Sequence, residues 1–312
     1  NNNVTGYLVS PDGQIVGQAT NVLTVDQNGS PTEFGQALQA YKRDPLAGRW
    51  EFIVLFGNPV AGATTQEPFT GKLQFDVVDV KATGVPTSAK TVLPAGKPTT
   101  VTVRVHNTGA ATSGFYVDAR SSAMTDIQLV PGASAANVPL APSATVGYIV
   151  PPDSTQITGI TSGSVPVSAD LAPNTGAPEN LAFPGAGNIS VVTDRSPVIS
   201  QGLWLLEADP IGPFASPNAG TASFAAVAHT QAFDTAVTSS TGDHWLLSTQ
   251  PKPPAFNPVT IDPSGHGTIT VTITPQAAKG TVVSGFLYVD DTTVANNAGD
   301  ELIAIPYTYT VG

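Results

Sequence analysis

The chain has 312 residues, of which 41% are hydrophobic, enough to fill packed cores and to exclude disorder through low hydrophobicity. Its net charge is −11 and its 12 basic residues are scattered, which excludes nucleic acid and anionic membrane surfaces as partners, since both need a concentrated basic face. With no cysteine it has no disulfide, thiolate zinc site or cysteine nucleophile, and no apolar run reaches the roughly 18 residues that a membrane-spanning helix needs.

Such a polar, weakly charged composition, rich in Thr, Ser, Ala and Val, is that of secreted β proteins, so the expected location is extracellular or at the cell surface. The length predicts about two to three domains. Asn1 opens without a signal-peptide pattern, as a mature or excised stretch would.

Three modules are expected. In the first, residues 1–77, Tyr7-Leu-Val-Ser-Pro-Asp-Gly13 reads as a strand closed by a Pro-Asp-Gly turn, in which glycine supplies the positive φ. Thr32–Tyr41 holds a helical turn or a loop. Pro45–Trp50 feeds the apolar strand Glu51–Phe56, Asn58–Gly62 turns the chain, and Phe69–Asp76 returns it. These are few strands for a complete sandwich.

The second module spans residues 78–194. Thr99–Asn107 alternates cleanly, with Val101, Val103 and Val105 facing inward and Thr100, Thr102, Arg104 and His106 facing outward. Further strands are expected at Phe115–Ala119, Ile127–Val130, Thr145–Val150, Ser164–Ser168 and Asn188–Val192, with a Pro/Gly/Asn-rich loop from Pro173 to Gly187.

The third module, residues 195–312, opens at Ser196–Trp204. Ala222–Val237 fits either a helix or two strands. His266–Pro275 alternates as the Val101 strand does. Gly280–Asp291 and Gly299–Gly312 then alternate on either side of a Gly/Asn/Asp-rich turn and read as a closing hairpin. Short alternating strands with regular turn signals, and no βαβ alternation or glycine-rich phosphate loop, predict an all-β chain of three consecutive antiparallel sandwiches of immunoglobulin or fibronectin type III kind.

Candidate chemistry is sparse. His266-Gly-Thr268 and Gly220-Thr-Ala-Ser223 contain fragments found around a subtilisin-type His and Ser. Here, however, the Ser precedes the His, and no orienting Asp is identifiable. His106, His229, His244 and His266 lack zinc-ligand spacing. His244, beside Trp245, is expected at a packed corner. Asp290, Asp291, Asp300 and Glu301 flank the closing turn as oxygen donors of the kind calcium takes, against the plainer reading of a solvated acidic loop that guards a sheet edge. Trp50, Trp204 and Trp245 lie in or beside apolar strands, which favours burial over a sugar-binding platform.

Several phrases carry a resemblance. Pro45-Leu-Ala-Gly-Arg-Trp50, Asn58-Pro-Val60 and Pro68-Phe-Thr-Gly71 resemble the module that follows the catalytic domain of large secreted bacterial subtilisin-like serine peptidases (subtilases), with similar elements in pre-peptidase C-terminal and P-domain sandwiches. Ala95-Gly-Lys-Pro98 with Val105-His-Asn-Thr-Gly109 resembles immunoglobulin-like, cell-adhesion-related bacterial domains. Val283–Asp290 with Ile305–Val311 resembles the fibronectin-III-like end of the same peptidases. No stretch matches that family's catalytic domain, so the resemblance carries over no catalytic residue and no cofactor. It implies a non-catalytic accessory region whose partners are an upstream peptidase domain of the same polypeptide and a protein substrate or cell-surface polymer. The alternative is a stand-alone adhesin or carbohydrate-binding module.

Overall fold

A computed structural model describes residues 4–20, 22–25, 31–34, 42, 45–56, 70–71, 78–109, 111–141, 143–173, 180–185, 188–194, 199, 201–211, 220–250, 255–292 and 300–312. These residues form antiparallel sheets almost throughout, so the chain is all-β.

In the N-terminal part, β1 (Val4–Val9) pairs with β2 (Ile15–Thr20) and β5 (Glu51–Phe56) in a three-stranded sheet, while β3 (Val22–Val25) pairs with β4 (Pro31–Phe34). The Pro-Asp-Gly turn forms as expected, with Gly13 at φ 81° and its N–H donated to the Ser10 carbonyl at 2.9 Å. Thr32–Phe34 is strand rather than helix. The turn at Asn58–Gly62 and most of Phe69–Asp76 lie outside the described residues.

From Val78 onward the strands are β6 (Val78–Thr83), β7 (Thr87–Leu93), β8 (Thr99–Asn107), β9 (Ser113–Gln128), β10 (Val138–Pro139), β11 (Ala144–Val150), β12 (Gln156–Gly163), β13 (Val167–Pro173), β14 (Asn180–Gly185), β15 (Asn188–Asp194), β16 (Gly202–Pro210), β17 (Thr221–Phe233), β18 (Val237–Ser239), β19 (Val259–Ile261), β20 (His266–Ile273), β21 (Val282–Asp291) and β22 (Asp300–Val311). A 3₁₀ helix, Trp245–Thr249, lies between β18 and β19.

One nine-stranded sheet, running β15-β12-β17-β9-β21-β22-β7 with β10 and β19 at its side, backs two smaller four-stranded sheets. The sheet β18-β20-β8-β6 covers one end of it. Val101, Val103 and Val105 of β8 and Ile269, Val271 and Ile273 of β20 meet Phe115 and Val117 of β9, Leu287 and Val289 of β21, and Tyr307, Tyr309 and Val311 of β22. The sheet β11-β16-β13-β14 covers the other end. There Val146, Tyr148, Trp204, Leu206, Val167 and Leu171 meet Ile157 of β12 and Ala222, Phe224, Ala226 and Ala228 of β17. In both cores the period-two pattern places alternate residues inward.

The cores do not follow the boundary expected at 194/195. The first sandwich draws on residues 78–117 and 237–311, and the second on residues 129–228. The second is an insertion: the chain leaves the first sandwich along β9 and returns along β17. Sequence order misleads here because β8 and β20, which are 266↔106 partners at one end of their ladder, come from the two different expected modules.

Three local expectations also change. Ala222–Phe233 is one strand, and its Ala222, Ala226 and Ala228 face the second core. Part of the Pro173–Gly187 loop is β14, held by β13. β22 pairs with β7 in parallel, in an otherwise antiparallel sheet.

Because β9 and β17 run from one core into the other, the two sandwiches are expected to unfold together. Leu206→Ala and Leu287→Ala, one in each core, should each cost about 2–5 kcal/mol and lower the midpoint of the same main calorimetric transition. Two transitions, of which each variant moves only one, would show the sandwiches to be independent.

Candidate functional site

The N-terminal half of β9 is buried on both faces. Phe115 and Val117 enter the first core, so alternation sends Tyr116, Asp118 and Arg120 to the opposite side. On β21 their cross-strand partners are Asp290, Tyr288 and Phe286. Glu301 of β22 lies opposite Asp290, past a bulge. This polar face is covered by the chain between β18 and β19. Trp245 is fully buried there against Tyr116, Ile149, Phe233 and Phe256. The bend at Gly242 requires φ 68°, and a Cβ at that position would run into the Ala255 carbonyl.

Arg120 is the one permanent cation at the centre of this layer among the described residues. Its Nε donates to both oxygens of Asp118, at 2.7 and 2.8 Å, and Nη1 donates to the Gln231 carbonyl at 2.9 Å. Its guanidinium carbon sits 3.6 Å from the centre of the Phe233 ring. Burial works against the arginine's charge, but the Asp118 carboxylate overrides it and holds the guanidinium protonated. Arg120 Nη2 has no hydrogen-bond partner among the described residues.

Acidic groups outnumber that cation. Asp118, Asp290 and Glu301 are buried, and the carboxyl of Asp243 faces inward. Asp290 Oδ2 accepts the Trp245 indole N–H at 2.9 Å. Asp243 Oδ1 accepts the backbone N–H of Trp245 at 2.9 Å and of Leu246 at 3.3 Å, at the start of the 3₁₀ helix.

Burial, then the Glu301 charge, pushes the Asp290 carboxyl well above the usual carboxylate range. Burial, then Asp118, does the same to Asp243. Burial beside other carboxyls thus favours the neutral form of both Asp290 and Asp243. The Tyr116 hydroxyl is raised as well, by burial and then by Asp290.

The acidic residues singled out from the sequence are only partly gathered: Asp290 keeps Glu301 as its neighbour across the hairpin, while Asp291 turns away. Asp290 and Asp291 are consecutive in a strand, so they face opposite sides. Asp290 turns to Trp245, while Asp291 accepts the Ser113 hydroxyl at 3.3 Å. The expected solvated turn is, at Asp290, Asp291 and Glu301, buried strand. The side chain of Asp300 lies outside the described residues. Among the described residues no group of three or more His, Asp or Glu side chains is arranged to hold a metal ion.

Asp118, Arg120 and Asp243 were not singled out. The available signal was a charged pair inside the otherwise apolar run Phe115-Tyr-Val-Asp-Ala-Arg120.

The histidines have separate settings. His244 packs edge-on to Trp245 at 5.1 Å, and burial lowers its pKa. His229 Nδ1 lies 2.6 Å from Asp126. His106 and His266 stack at 4.2 Å on the outer face of β8 and β20, beside a groove of about 290 Å³ lined by Arg104, His266, Gly267 and Thr268. Ser223, whose hydroxyl accepts the Asn137 N–H, belongs to β17 and the other sandwich, so the subtilisin-like fragments do not meet. Trp204 and Trp245 are fully buried, and Trp50 donates its indole N–H to the Leu46 carbonyl at 2.8 Å.

No protein-family model matches the chain, and no curated protein matches it. Among solved structures it is similar to the ASH/PapD-like domain 7 of human CEP192, at 8% identity and a TM-score of 0.26 over 80% of this chain and 96% of that one. It is also similar to AvmM, which catalyzes macrocyclization in alchivemycin A biosynthesis, at 10% identity and a TM-score of 0.23 over 76% and 90%. Both likenesses are too distant to bear on function.

Two stability effects follow from these charges. Asp118→Ala strands a buried guanidinium that cannot shed its proton, and should cost about 3–5 kcal/mol in denaturant melts. On the outer side of β16, burial, then Glu207, then Asp170, raises Asp209 to about 6. The folded chain therefore binds that proton more tightly than the unfolded chain. Stability from this group is present in acid and is lost as the pH rises from about 4 through about 6. Asp209→Asn should flatten that part of the profile and stabilise the neutral protein by about 1 kcal/mol after solvent screening. An unchanged melting-temperature profile across this window would contradict the assignment.

Proposed function

We propose that this chain is a non-catalytic accessory region of a secreted subtilase-like serine peptidase. It acts as a stiff extracellular strut that spaces the peptidase from a surface and offers a face to protein substrate or cell-surface polymer. One observation supports the reading most: two cores hang on common strands, with a buried cluster sealing their junction. The 16-residue β9 alone covers about 50 Å at about 3.3 Å per residue. Strands that pass from one core to the next resist bending as a flexible linker would not. The phrases that resemble regions following subtilase catalytic domains support a peptidase as the parent.

A second reading, a stand-alone adhesin or carbohydrate-binding module, has one feature in its favour. The groove beside Arg104 and His266 sets basic groups on the outer face of an acidic chain, as a carboxylated polymer would require.

Two measurements separate these readings. The purified chain should not hydrolyse casein or fluorogenic peptides, and hydrolysis that a serine-directed inhibitor removes would end the accessory reading. The reading frame that encodes the chain should also encode a subtilase Asp/His/Ser domain. A frame without any peptidase domain, together with glycan binding lost in Arg104→Ala, would favour the adhesin.

A further inference from the structure

We propose that the outer face of the sheet β18-β20-β8-β6 binds a carboxylated polysaccharide, with Arg104 and Lys81 holding its carboxylates. The inference rests on the reading that the chain offers a face to cell-surface polymer, and it names that face and the chemistry of the polymer.

Strand register brings the groups together. Lys81 of β6 stands directly opposite Arg104 of β8, which stands opposite Thr268 of β20. One row along, Asp79, His106 and His266 are aligned in the same way. Val80, Val103, Val105 and Ile269 alternate with these residues and enter the first core, so the polar set shares the outer face. Lys81, Arg104, His266 and Thr268 are exposed.

Like charges directly opposite one another in a ladder destabilise a sheet. Lys81 and Arg104 are such a pair, and among the described residues neither forms a salt bridge. Asp79, the acid in the neighbouring row, is paired with His106, whose Nδ1 lies 3.4 Å from its carboxylate. Two adjacent cations with no acid of their own, in a chain of net charge −11, mark a place where a ligand supplies the negative charge.

The groove of about 290 Å³ lies at this pair, lined by Arg104, His266, Gly267 and Thr268. Its floor is β20, which is paired with β8 along its whole length, so the groove keeps its shape without a ligand.

The face suits a sugar chain rather than a peptide. β8 is paired on both sides and has no free ladder for an added strand. It presents instead the hydroxyls of Thr102, Thr268 and Thr270, beside the stacked rings of His106 and His266. Hydroxyls both donate and accept, as those of sugars do. The planar Arg104 fork matches a carboxylate. Two permanent cations fall short of the broad basic face that nucleic acid needs. They fit carboxylates spaced along an otherwise neutral sugar backbone.

Isothermal titration calorimetry of the full chain with alginate oligosaccharides, a polyuronate, tests this. Dextran oligosaccharides and polyglutamate serve as comparisons. Alginate should bind, more weakly as salt is raised, and the comparisons should not. Arg104→Ala should weaken alginate binding about tenfold or more, and Lys81→Ala about threefold or more. Both variants should melt at or above the wild-type temperature, because each relieves a like-charge pair. Lys90→Ala, an exposed cation on β7, should bind as the wild type does. Absence of alginate binding overturns the proposal and leaves the accessory reading standing, since that reading is decided by the encoded peptidase domain. Equal binding of polyglutamate, or alginate binding that survives both Arg104→Ala and Lys81→Ala, overturns it as well.

Discussion

The structure turns on a strand that is buried on both faces. An alternating sequence ordinarily offers one face to a core and the other to water. In the first half of β9 there is no water side, because the cover carrying Trp245 lies over it. Every second residue, which on a simple sandwich would be solvated, is therefore drawn into the interior, and here those residues are Tyr116, Asp118 and Arg120. Their polar atoms must find partners inside. This explains the Arg120 Nε–H shared between the two oxygens of Asp118, the ring of Phe233 beneath the guanidinium, and the indole bond to Asp290.

The same strand explains how two sandwiches come from one continuous sheet. β9 serves the first core with its early residues, passes an irregular stretch between Arg120 and Met124, and pairs with β17 alongside the second core. At that irregularity the direction of the inward face can be reset. Gly285 lies nearby for a related reason. A Cβ there would collide with the Arg120 carbonyl and the Tyr307 ring, so glycine lets β21 approach closely enough for the Tyr307 hydroxyl to reach that carbonyl and Asp234. Packing and polar satisfaction meet at one crossing point. The layer of buried acids is consequently a feature of the joint between sandwiches and not of either sandwich alone.

Much of the local structure was legible because alternation is a local property. Val101, Val103 and Val105, the His266 strand and the closing hairpin lie where their patterns put them. The Ala222–Phe233 stretch was ambiguous because small side chains carry little period signal, and its pairing with β12 and β9 is what makes it a strand. The acidic residues of the last hairpin illustrate the other limit. Their proximity in sequence suggested one solvated cluster, but Asp290 and Asp291 diverge as strand neighbours do, and the layer that holds Asp290 and Glu301 also draws in Asp118 and Asp243 from far away along the chain.

The amino-acid order by itself determined that this chain makes short alternating strands, where most of them run, and that it lacks cysteine chemistry and a basic face. Those follow from side-chain period, turn residues and charge count, all of which act over a few neighbours. Which strands share a core, and which charges are shut away from water, was decided only by tertiary structure. Inserting one sandwich between two strands of another brings together residues that no local pattern relates, and burial, which sets the protonation of the carboxyls, exists only once those distant pieces close over them.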